Sequence, residues 1–585
     1  MFQNVRQSMA WMHTWFGLVL GFVLMVSFFF GTLSVFDREI DRWAIPETRF
    51  APQPMPSFDR VLRPIFERMQ PDAEALAEAR TLNRSPLPER FAPSGWGFYA
   101  THRDPVLDLW AEFDLPDPKD PMEDHVHVGA TIDPRNGASI RDDRFALGSE
   151  FFYPMHYSLN LYWYELGVWI VGLGALAMLA ALVSGLVMHR RMFREFFTFR
   201  PDKSTQRSVL DLHNLTGVLA LPFHFFFAFT GLVIFMGQYF PVADVMMGEQ
   251  GVEAAMLAET RETGIPTEAA GRPAPLASVD TMVAEARRRW AEAGKAGEVG
   301  MLSVEHVGDV NSVVSIYRAG TDRVSSISDG MHFMGATGRL IHEDPPSSIL
   351  VGTGEFLEGL HLQHFRHWLL RWLYVLGGLM GCVCIATGFL FFVEKRKKQH
   401  ARQGKAGCRW VDALAVTTVT GMVGATAAVL VANRALPVDL PARGDWQERI
   451  FWAVWLLALL HAGWRSAPVA QGRISPAWRE QCWAVAVLAV SAVLLNWITT
   501  GDHLLKTAFT YWPVAGFDLS LLVAAGLAVK AARVLRVREA RPDARSASVG
   551  EASAPGRRPV AIDGLSTEGG RDMAIRSRKE GAGNA

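Results

Sequence analysis

Apolar residues in this chain are gathered into long blocks instead of being spread among polar ones. Most blocks approach the length of about 20 residues that an α-helix needs to cross a hydrocarbon core. Eight such blocks can be drawn: Phe16–Phe36, Leu166–Met188, Leu215–Phe235, Leu369–Val393, Val411–Val431, the shorter Ile450–His461, Cys482–Ile498 and Val514–Val529. The pattern predicts a polytopic α-helical membrane protein with eight spanning helices, and it rules out a soluble enzyme.

The first four blocks contain an internal repeat. His13, Gly17 and Gly31 fall on matching residues at an offset of 200 residues, and blocks two and four match at an offset of 203. The matches at these offsets are His213, Gly217 and Gly231, and then Trp169 with Trp372, Gly174 with Gly377, and Ser184-Gly185 with Thr387-Gly388. Each half therefore consists of a helix, an external domain and a second helix, so the halves are parallel repeats about an axis near the membrane normal.

Both polar stretches between paired blocks predict a small α+β domain. Each begins with a helix-like stretch, Phe58–Met69 or Val279–Ala293, and ends with strands around a turn, at 130–137 or 334–341. The full predicted order is a first spanning segment 1–36, external domain 37–158, span 159–189, cytoplasmic loop 190–208, span 209–236, external domain 237–362, span 363–393, cytoplasmic loop 394–409, a C-terminal membrane region of four helices 410–535, and a disordered cytoplasmic tail 536–585.

Charge predicts the orientation. The segments 189–207 and 394–409 are rich in Lys and Arg, which marks cytoplasmic loops and places both termini in the cytoplasm. The 585 residues have a net charge of −1 and only 20% are charged, so the expected surroundings are a lipid bilayer and not nucleic acid. None of the four cysteines lies in an external domain, and Cys382-x-Cys384 is interpreted as membrane packing. The pair His125-Val-His127 is interpreted as part of a surface strand, with a weak metal site as the alternative.

Several histidines interrupt the apolar blocks, where ionisable side chains are costly and typical of function. They are His13 and His213 at the cytoplasmic ends, His156 and His361 at the external ends, His189 at the end of the second helix, His224 inside the third, and His364 near the start of the fourth. Paired imidazoles on facing helices are typical axial ligands of haem iron. On a straight helix His213 and His224 share one face about 16 Å apart, which suits two stacked haems.

Two arrangements of ligands remain open. Symmetry pairs His13 with His213 and His156 with His361, at two levels separated by more than about 30 Å along the helices. His224 would bring a second centre closer, and His189 or His364 could replace a symmetric ligand. Gly17 and Gly217, four residues after their histidines, would leave room for a porphyrin on the same helix face.

These residues resemble the PepSY-associated transmembrane helix family. The resemblance lies in His13-x-x-x-Gly17, Ser184–Arg191, Asp211-Leu-His-x-x-x-Gly217 and Leu360-His361, and it covers residues 1–395. The family includes iron-regulated membrane proteins and ferric-siderophore reductases of bacterial inner membranes. The resemblance implies two periplasmic PepSY-like domains, two haem b groups whose iron is held by His13, His213, His156 and His361, and reduction of ferric siderophore or ferric iron during iron uptake. The helices after residue 410 resemble a longer branch of the family.

The predicted function is electron transfer across the inner membrane. The cytoplasmic loops are too short for a nicotinamide or flavin domain, and no Gly-x-Gly-x-x-Gly motif follows a strand, so electrons must come from quinol or a separate reductase. Two alternatives remain: a non-enzymatic PepSY membrane module that binds partners or senses conditions, and a transporter whose histidines relay protons.

Overall fold

The computed structural model describes residues 4–100, 104–120, 123–140, 145–188, 200, 204–241, 246, 248, 251, 262–326 and 329–540. The chain through Arg536 forms one compact unit. Of the second unit, Val537–Ala585, the structure describes residues up to 540. Most of the predicted tail, most of the loop 190–208 and His189 therefore lie outside the described residues.

The first repeat begins with a bent span. The apolar run forms α1 (Val5–Val19) and α2 (Gly21–Ser34), which meet at an angle of 60°. The remaining helices of this half are α3 (Asp37–Ala44), α4 (Arg63–Phe66, after a π-helical turn), α5 (Ala73–Leu82), α6 (Tyr153–Tyr157) and α7 (Leu166–Met188).

The second repeat bends at the equivalent place. Helix α8 (Thr205–Leu219) meets α9 (Leu221–Ile234) at 63°, beside Pro222, whose ring removes a backbone donor and cannot continue the preceding turn. The other helices are α10 (Met236–Tyr239), α11 (Val279–Glu292), α12 (Ile349–Leu362) and α13 (Trp368–Arg402). The shared bend supports the predicted repeat.

Beyond the repeats the chain adds a helical region. It contains α14 (Gly407–Val416), α15 (Met422–Ala435), α16 (Arg443–Arg465), α17 (Ala477–Thr500), α18 (Leu504–Thr510) and α19 (Trp512–Ala540), with a π-helical turn joining α14 to α15. Among the described residues, 6 helices are long and apolar enough to cross a membrane, and counting each bent pair as one span brings the total to 8. The prediction of a polytopic helical membrane protein is confirmed.

The strands of the two segments predicted to be external form one antiparallel sheet. They are β1 (Gly95–Tyr99), β2 (Leu107–Asp114), β3 (His125–Ile132), β4 (Ser139–Ile140), β5 (Val299–Glu305), β6 (Val313–Arg318), β7 (Gly330–Met334) and β8 (Leu340–Glu343), in the order β4-β3-β2-β1-β5-β6-β7-β8. Each segment contains the predicted helix and final hairpin. The two segments are not separate domains, however, because β1 pairs with β5 and Gly97 lies opposite Ser303.

A shared apolar core explains the joined sheet. Phe58 and Phe66 from the first segment pack in the same buried cluster as Trp290 and Phe333 from the second. Pairing β1 with β5 also satisfies two strand edges that separate four-stranded sheets would leave open. The sheet therefore ties the two repeats together at one end of the helices, here called the sheet side, and the opposite end is called the far side.

Candidate functional site

Four of the predicted histidines meet in two pairs, each with one ring from each repeat. The far-side pair is His13 of α1 and His213 of α8, whose ring centres are 6.1 Å apart with planes at 85°. The Nδ1 atom of His13 lies 2.9 Å from the carbonyl oxygen of Ala181, and Nδ1 of His213 lies 2.8 Å from that of Cys384. Ala181 and Cys384 are related by the repeat offset of 203, so the pair is symmetric in its supports as well as its rings.

The sheet-side pair is His156 and His361, with ring centres 5.8 Å apart and planes at 25°. Nδ1 of His156 lies 2.9 Å from the carbonyl oxygen of Ser27, and Nδ1 of His361 lies 2.8 Å from Oγ1 of Thr230. In all four rings an oxygen atom lies within hydrogen-bond distance of Nδ1, which fixes the orientation of the ring.

The sequence pattern predicts that His156 and His361 lie at the ends of the returning spans, and the structure contradicts this prediction. They lie on the separate short helices α6 and α12, which pack against α2 and α9. After each of these helices the chain turns through left-handed residues, Asn160 with φ 52° and Gln363 with φ 59°, before the long span starts. The histidines therefore reach between the helices.

The separation of the two levels is correspondingly smaller than predicted. Ser27, whose carbonyl oxygen contacts His156, marks the level of the sheet-side pair. With a rise of 1.5 Å per residue and a span that bends by 60° from straight, the backbone positions of His13 and Ser27 lie about 18 Å apart. The expectation of more than about 30 Å assumed straight helices and histidines at the helix ends, and both assumptions are wrong.

Glycines of neighbouring helices face each histidine ring. An ideal Cβ would lie 2.6 Å from the ring of His156 at Gly31, 3.2 Å from His361 at Gly231, and 3.5 Å from His13 at Gly185 and from His213 at Gly388. Both sets of glycines are matches of the sequence repeat, so the repeat preserves the close approach of the backbone to each imidazole. The clearance predicted at Gly17 and Gly217 is found at Gly17, where a Cβ would meet nothing within 4 Å, whereas at Gly217 it would lie 3.3 Å from Cys384 Sγ.

His224 belongs to neither pair. Its ring is fully buried and packs edge-on against Phe28 at 5.7 Å between centres. The bend between α8 and α9 removes the straight helix on which His213 and His224 were expected to share a face. His364, the remaining alternative that the structure describes, lies past the end of α12 and lines the cavity beside the sheet-side pair.

A cavity of about 840 Å³ opens from the sheet-side pair toward the sheet. His156, His361 and both facing glycines line its helical part, and Tyr99 and Tyr317 line the part under the sheet. Such a volume lies within the range of small-molecule binding sites, roughly 300 to 1,000 Å³. The cavity places a ligand-sized space directly against one histidine pair.

Charged groups line the mouth of this cavity. Arg38 lies 3.3 Å from Asp104, and burial raises the pKa of the neighbouring Asp108 above its ordinary value. Burial also raises the pKa of Tyr153 to about 12, so its hydroxyl group remains a hydrogen-bond donor at neutral pH. The cavity therefore offers both cationic and anionic groups to a polar ligand.

The supports of the rings were not identified from the sequence. Ala181 and Cys384 act through backbone oxygens, which no side-chain pattern reveals, and Cys384 had been interpreted only as packing. Its Sγ atom also lies 3.6 Å from His213 Nδ1. The available signal was the repeat itself, because residues at equal offsets from paired histidines occupy equivalent places.

The fold and the pairs define a polytopic helical membrane protein in which two repeats contribute equally to two histidine sites. The chain belongs to the PepSY-associated transmembrane family, since the family model described as the PepSY-associated TM region matches residues 10–395. It is also similar to the Uncharacterized protein PA4219 of Pseudomonas aeruginosa, with 27% identity over 404 residues covering 65% of this chain and 94% of that protein. Helices α14 to α19 lie beyond the region matched by the family model.

Proposed function

We propose that this protein is a haem-containing electron-transfer protein of the bacterial inner membrane that reduces ferric iron, carried by a siderophore, on the periplasmic side. The observation that carries the proposal is the presence of two histidine pairs at two depths of one helical bundle. Haem b held at each pair would supply one-electron transfer, the chemistry of a bis-imidazole centre.

The distances within the pairs fit ligation of one metal ion by two rings. Metal–nitrogen bonds of about 2.0 Å, with about 1.1 Å from each Nε2 to its ring centre, require ring centres about 6.2 Å apart. The centres are 6.1 Å apart in the far-side pair and 5.8 Å in the sheet-side pair. The hydrogen bonds at Nδ1 hold each neutral imidazole in the tautomer whose Nε2 carries a lone pair.

The orientation follows from positive charge at the far side. The end of α13 and the turn into α14 carry Lys395, Arg396, Lys397, Lys398, Arg402 and Lys405, and this excess of positive charge supports a cytoplasmic location for the far side. The sheet then faces the periplasm, and both termini lie in the cytoplasm. His13 and His213 are the cytoplasmic ligands, and His156 and His361 are the periplasmic ones.

The electron donor is quinol or a separate reductase. Residues 189–204 separate α7 from α8 and residues 403–406 separate α13 from α14, and neither segment approaches the roughly 50 residues of a small domain. A nucleotide-binding domain has no place on that side of the repeats. Each ferric ion takes up one electron, and the ferrous product binds hard oxygen ligands more weakly, which releases it from the siderophore.

The cavity beside His156 and His361 is the proposed binding place of the ferric complex. It touches the ligand pair, so reduction needs no further residue between them. Arg38 and the tyrosines around the cavity offer donors to the oxygen-rich surface of a siderophore.

Absorption spectroscopy tests the proposal most directly. The protein purified from haem-supplemented cells should show a Soret band, and pyridine haemochromogen analysis should give two haem b per chain. His13→Ala and His213→Ala should each lose the same single centre, whereas His367→Ser should lose none, because His367 caps α13 and serine can replace that cap. Absence of haem, or retention of both centres in both alanine variants, would contradict the proposal.

Reduction needs its own assay. Chemically reduced protein mixed anaerobically with a ferric hydroxamate or catecholate complex should reoxidise, and a ferrous-specific chelator should collect one Fe²⁺ per electron lost. Haem reoxidation that is no faster with the ferric complex than without it would leave electron storage or sensing as the function of the bound haem.

A further inference from the structure

Two exposed histidines stand side by side on β3, away from the helices. His125 and His127 share one face of the strand, and their Nε2 atoms are 3.0 Å apart. Their side chains are 36% and 58% exposed, so an ion can reach them from solvent. The sequence pattern had left a weak metal site as an alternative here.

A carboxylate is hydrogen-bonded to the other nitrogen of His125, and a second carboxylate lies near that of His127. His125 Nδ1 lies 2.7 Å from Asp124 Oδ1, and His127 Nδ1 lies 3.9 Å from Oε1 of Glu112, which stands directly opposite on β2. Asp124 draws the ring proton of His125 to Nδ1, so His125 Nε2 can accept the Nε2–H of His127 over 3.0 Å, and a bound metal ion would replace that proton. Glu112 lies beyond hydrogen-bond distance of His127 and acts on it by charge alone. The contact of His125 with Asp124 places a carboxylate behind the ring. This is the usual arrangement behind metal-binding imidazoles.

The pair is distant from the histidines between the helices. Asp108 of β2 lines the cavity, whereas Asp114, six residues farther along the same strand, pairs with His125. Six residues of a strand span about 20 Å. Metal binding at the tip of β3 is therefore separate from the proposed haem ligation.

We propose that His125 and His127 bind a divalent late transition-metal ion through their two Nε2 atoms, and that among these ions Cu²⁺ binds most tightly. Two bonds of about 2.0 Å place the nitrogens about 2.8 Å apart at a right angle and about 3.3 Å apart at a tetrahedral angle. The observed 3.0 Å lies nearer the right angle, which is the cis geometry of tetragonal Cu²⁺.

Water molecules complete the coordination. No group of three or more His, Cys, Asp or Glu side chains suited to one metal ion exists in the part of the chain that the structure describes. Affinity therefore depends on the two imidazoles and on Asp124, which orients His125. Cu²⁺ heads the order of affinity among first-row divalent ions, and imidazole is among its preferred ligands.

The test is titration of the detergent-solubilised full chain, purified without a histidine tag, with CuCl₂. Isothermal titration should detect one site per chain, and electron paramagnetic resonance should show a tetragonal Cu²⁺ signal with coupling to two nitrogens. His127→Ala should abolish the two-nitrogen signal, and Asp124→Asn should weaken binding by about tenfold, as for other groups that orient a ligand, because Asp124 is hydrogen-bonded to His125. Because His127 is strongly exposed, the His127→Ala variant should fold like the native chain, which a thermal unfolding scan checks directly.

His342→Ala is the matched control. His342 belongs to another histidine cluster of the sheet, with the buried His332 and with Asp344, whose Oδ1 lies 3.9 Å from His342 Nε2. The His342→Ala substitution should leave the Cu²⁺ site unchanged. Loss of the site in His342→Ala, retention of it in His127→Ala, or absence of Cu²⁺ binding to the native chain each overturns the proposal. The same titration on His13→Ala separates this outcome from that of the haem proposal, because the site at β3 should persist there.

Discussion

Alanine at Gly31 should dislodge one histidine of the sheet-side pair without affecting the far-side pair. A Cβ at this position would lie 2.6 Å from His156 Nδ1 and 2.8 Å from its Cε1. Contact begins at about 3.4 Å, so the ring must retreat by roughly 0.8 Å. That retreat would break the 2.9 Å hydrogen bond from Nδ1 to the Ser27 carbonyl oxygen, and with it the alignment of His156 to His361.

Three further glycine variants give a graded comparison. The Cβ would approach its histidine to 3.2 Å at Gly231 and to 3.5 Å at both Gly185 and Gly388. Gly31→Ala should therefore lose the haem of the sheet-side pair, Gly231→Ala should retain it with altered spectra, and the other two should resemble the native protein. The measurements are haem content per chain and a redox titration followed at the α-band.

The controls distinguish local from general damage. Thermal unfolding followed by intrinsic fluorescence should show that Gly31→Ala still unfolds cooperatively. Its remaining centre should have the potential of the centre that survives in a His156→Ala variant. Full haem content in Gly31→Ala, or equal losses at all four glycines, would refute the assignment of His156 to a ligand position.

Three more outcomes follow from the described contacts. Glu39→Gln should lower the free energy of unfolding by about 3 kcal/mol in a denaturant titration, because it leaves the buried Arg371 guanidinium, now held by two bonds of 2.9 Å, without its counter-charge. Burial raises the pKa of Asp41 from 3.8 to about 7. Between these values the folded state binds a proton that the unfolded state has lost, so stability falls as pH rises from about 4 through 7. The unfolding temperature should therefore be higher at pH 5.5 than at pH 8, with a smaller difference in Asp41→Asn. Thr230→Val should weaken haem retention at His361 by about 10- to 100-fold in a competition with apomyoglobin, because Thr230 is the oxygen partner of its Nδ1.

Much of the helical architecture could be predicted from the apolar blocks. Even the short block Ile450–His461 lies within the 23-residue helix α16. The bends were harder to predict than the helices. Pro222 marks the bend of the second repeat, but the bend of the first repeat falls at Leu20 and Gly21, where there is no proline. The pairing of β1 with β5 could not be predicted either. Each segment carries strand and turn signals for a complete sheet of its own, and no local sequence pattern indicates that strands of different segments will pair.

The pairing of histidines was predictable because it follows from symmetry. Because His13 matches His213, the two repeats place equivalent side chains on either side of the axis that relates them. His224 has no equivalent, since Leu24 occupies the matching position, and it joins no pair. The placement of His156 and His361 between the helices was not predictable, because polar residues near an apolar block are equally typical of a helix end.

The repeats also conserve contacts whose chemistry has changed. Glu39 of α3 pairs with Arg371 of α13, and at the matching positions Tyr239 of α10 donates to the backbone oxygen of Val168 in α7. The same place in the scaffold thus holds a buried ion pair in one repeat and a neutral hydrogen bond in the other.

The C-terminal helices contact the first repeat at α3 and just beyond it. Trp43 donates to Asp518 of α19 over 2.8 Å, and Arg49, just beyond α3, lies 2.7 Å from Asp502. Within α3, Asp41 accepts the backbone N–H of Gly148 at 2.6 Å, and that residue lies in the turn that leads into α6 and His156. The added helices therefore stabilise α3, α3 holds the start of α6, and α6 positions His156. A region beyond the matched repeats is thus linked to His156 by a series of side-chain hydrogen bonds and an ion pair that runs through α3.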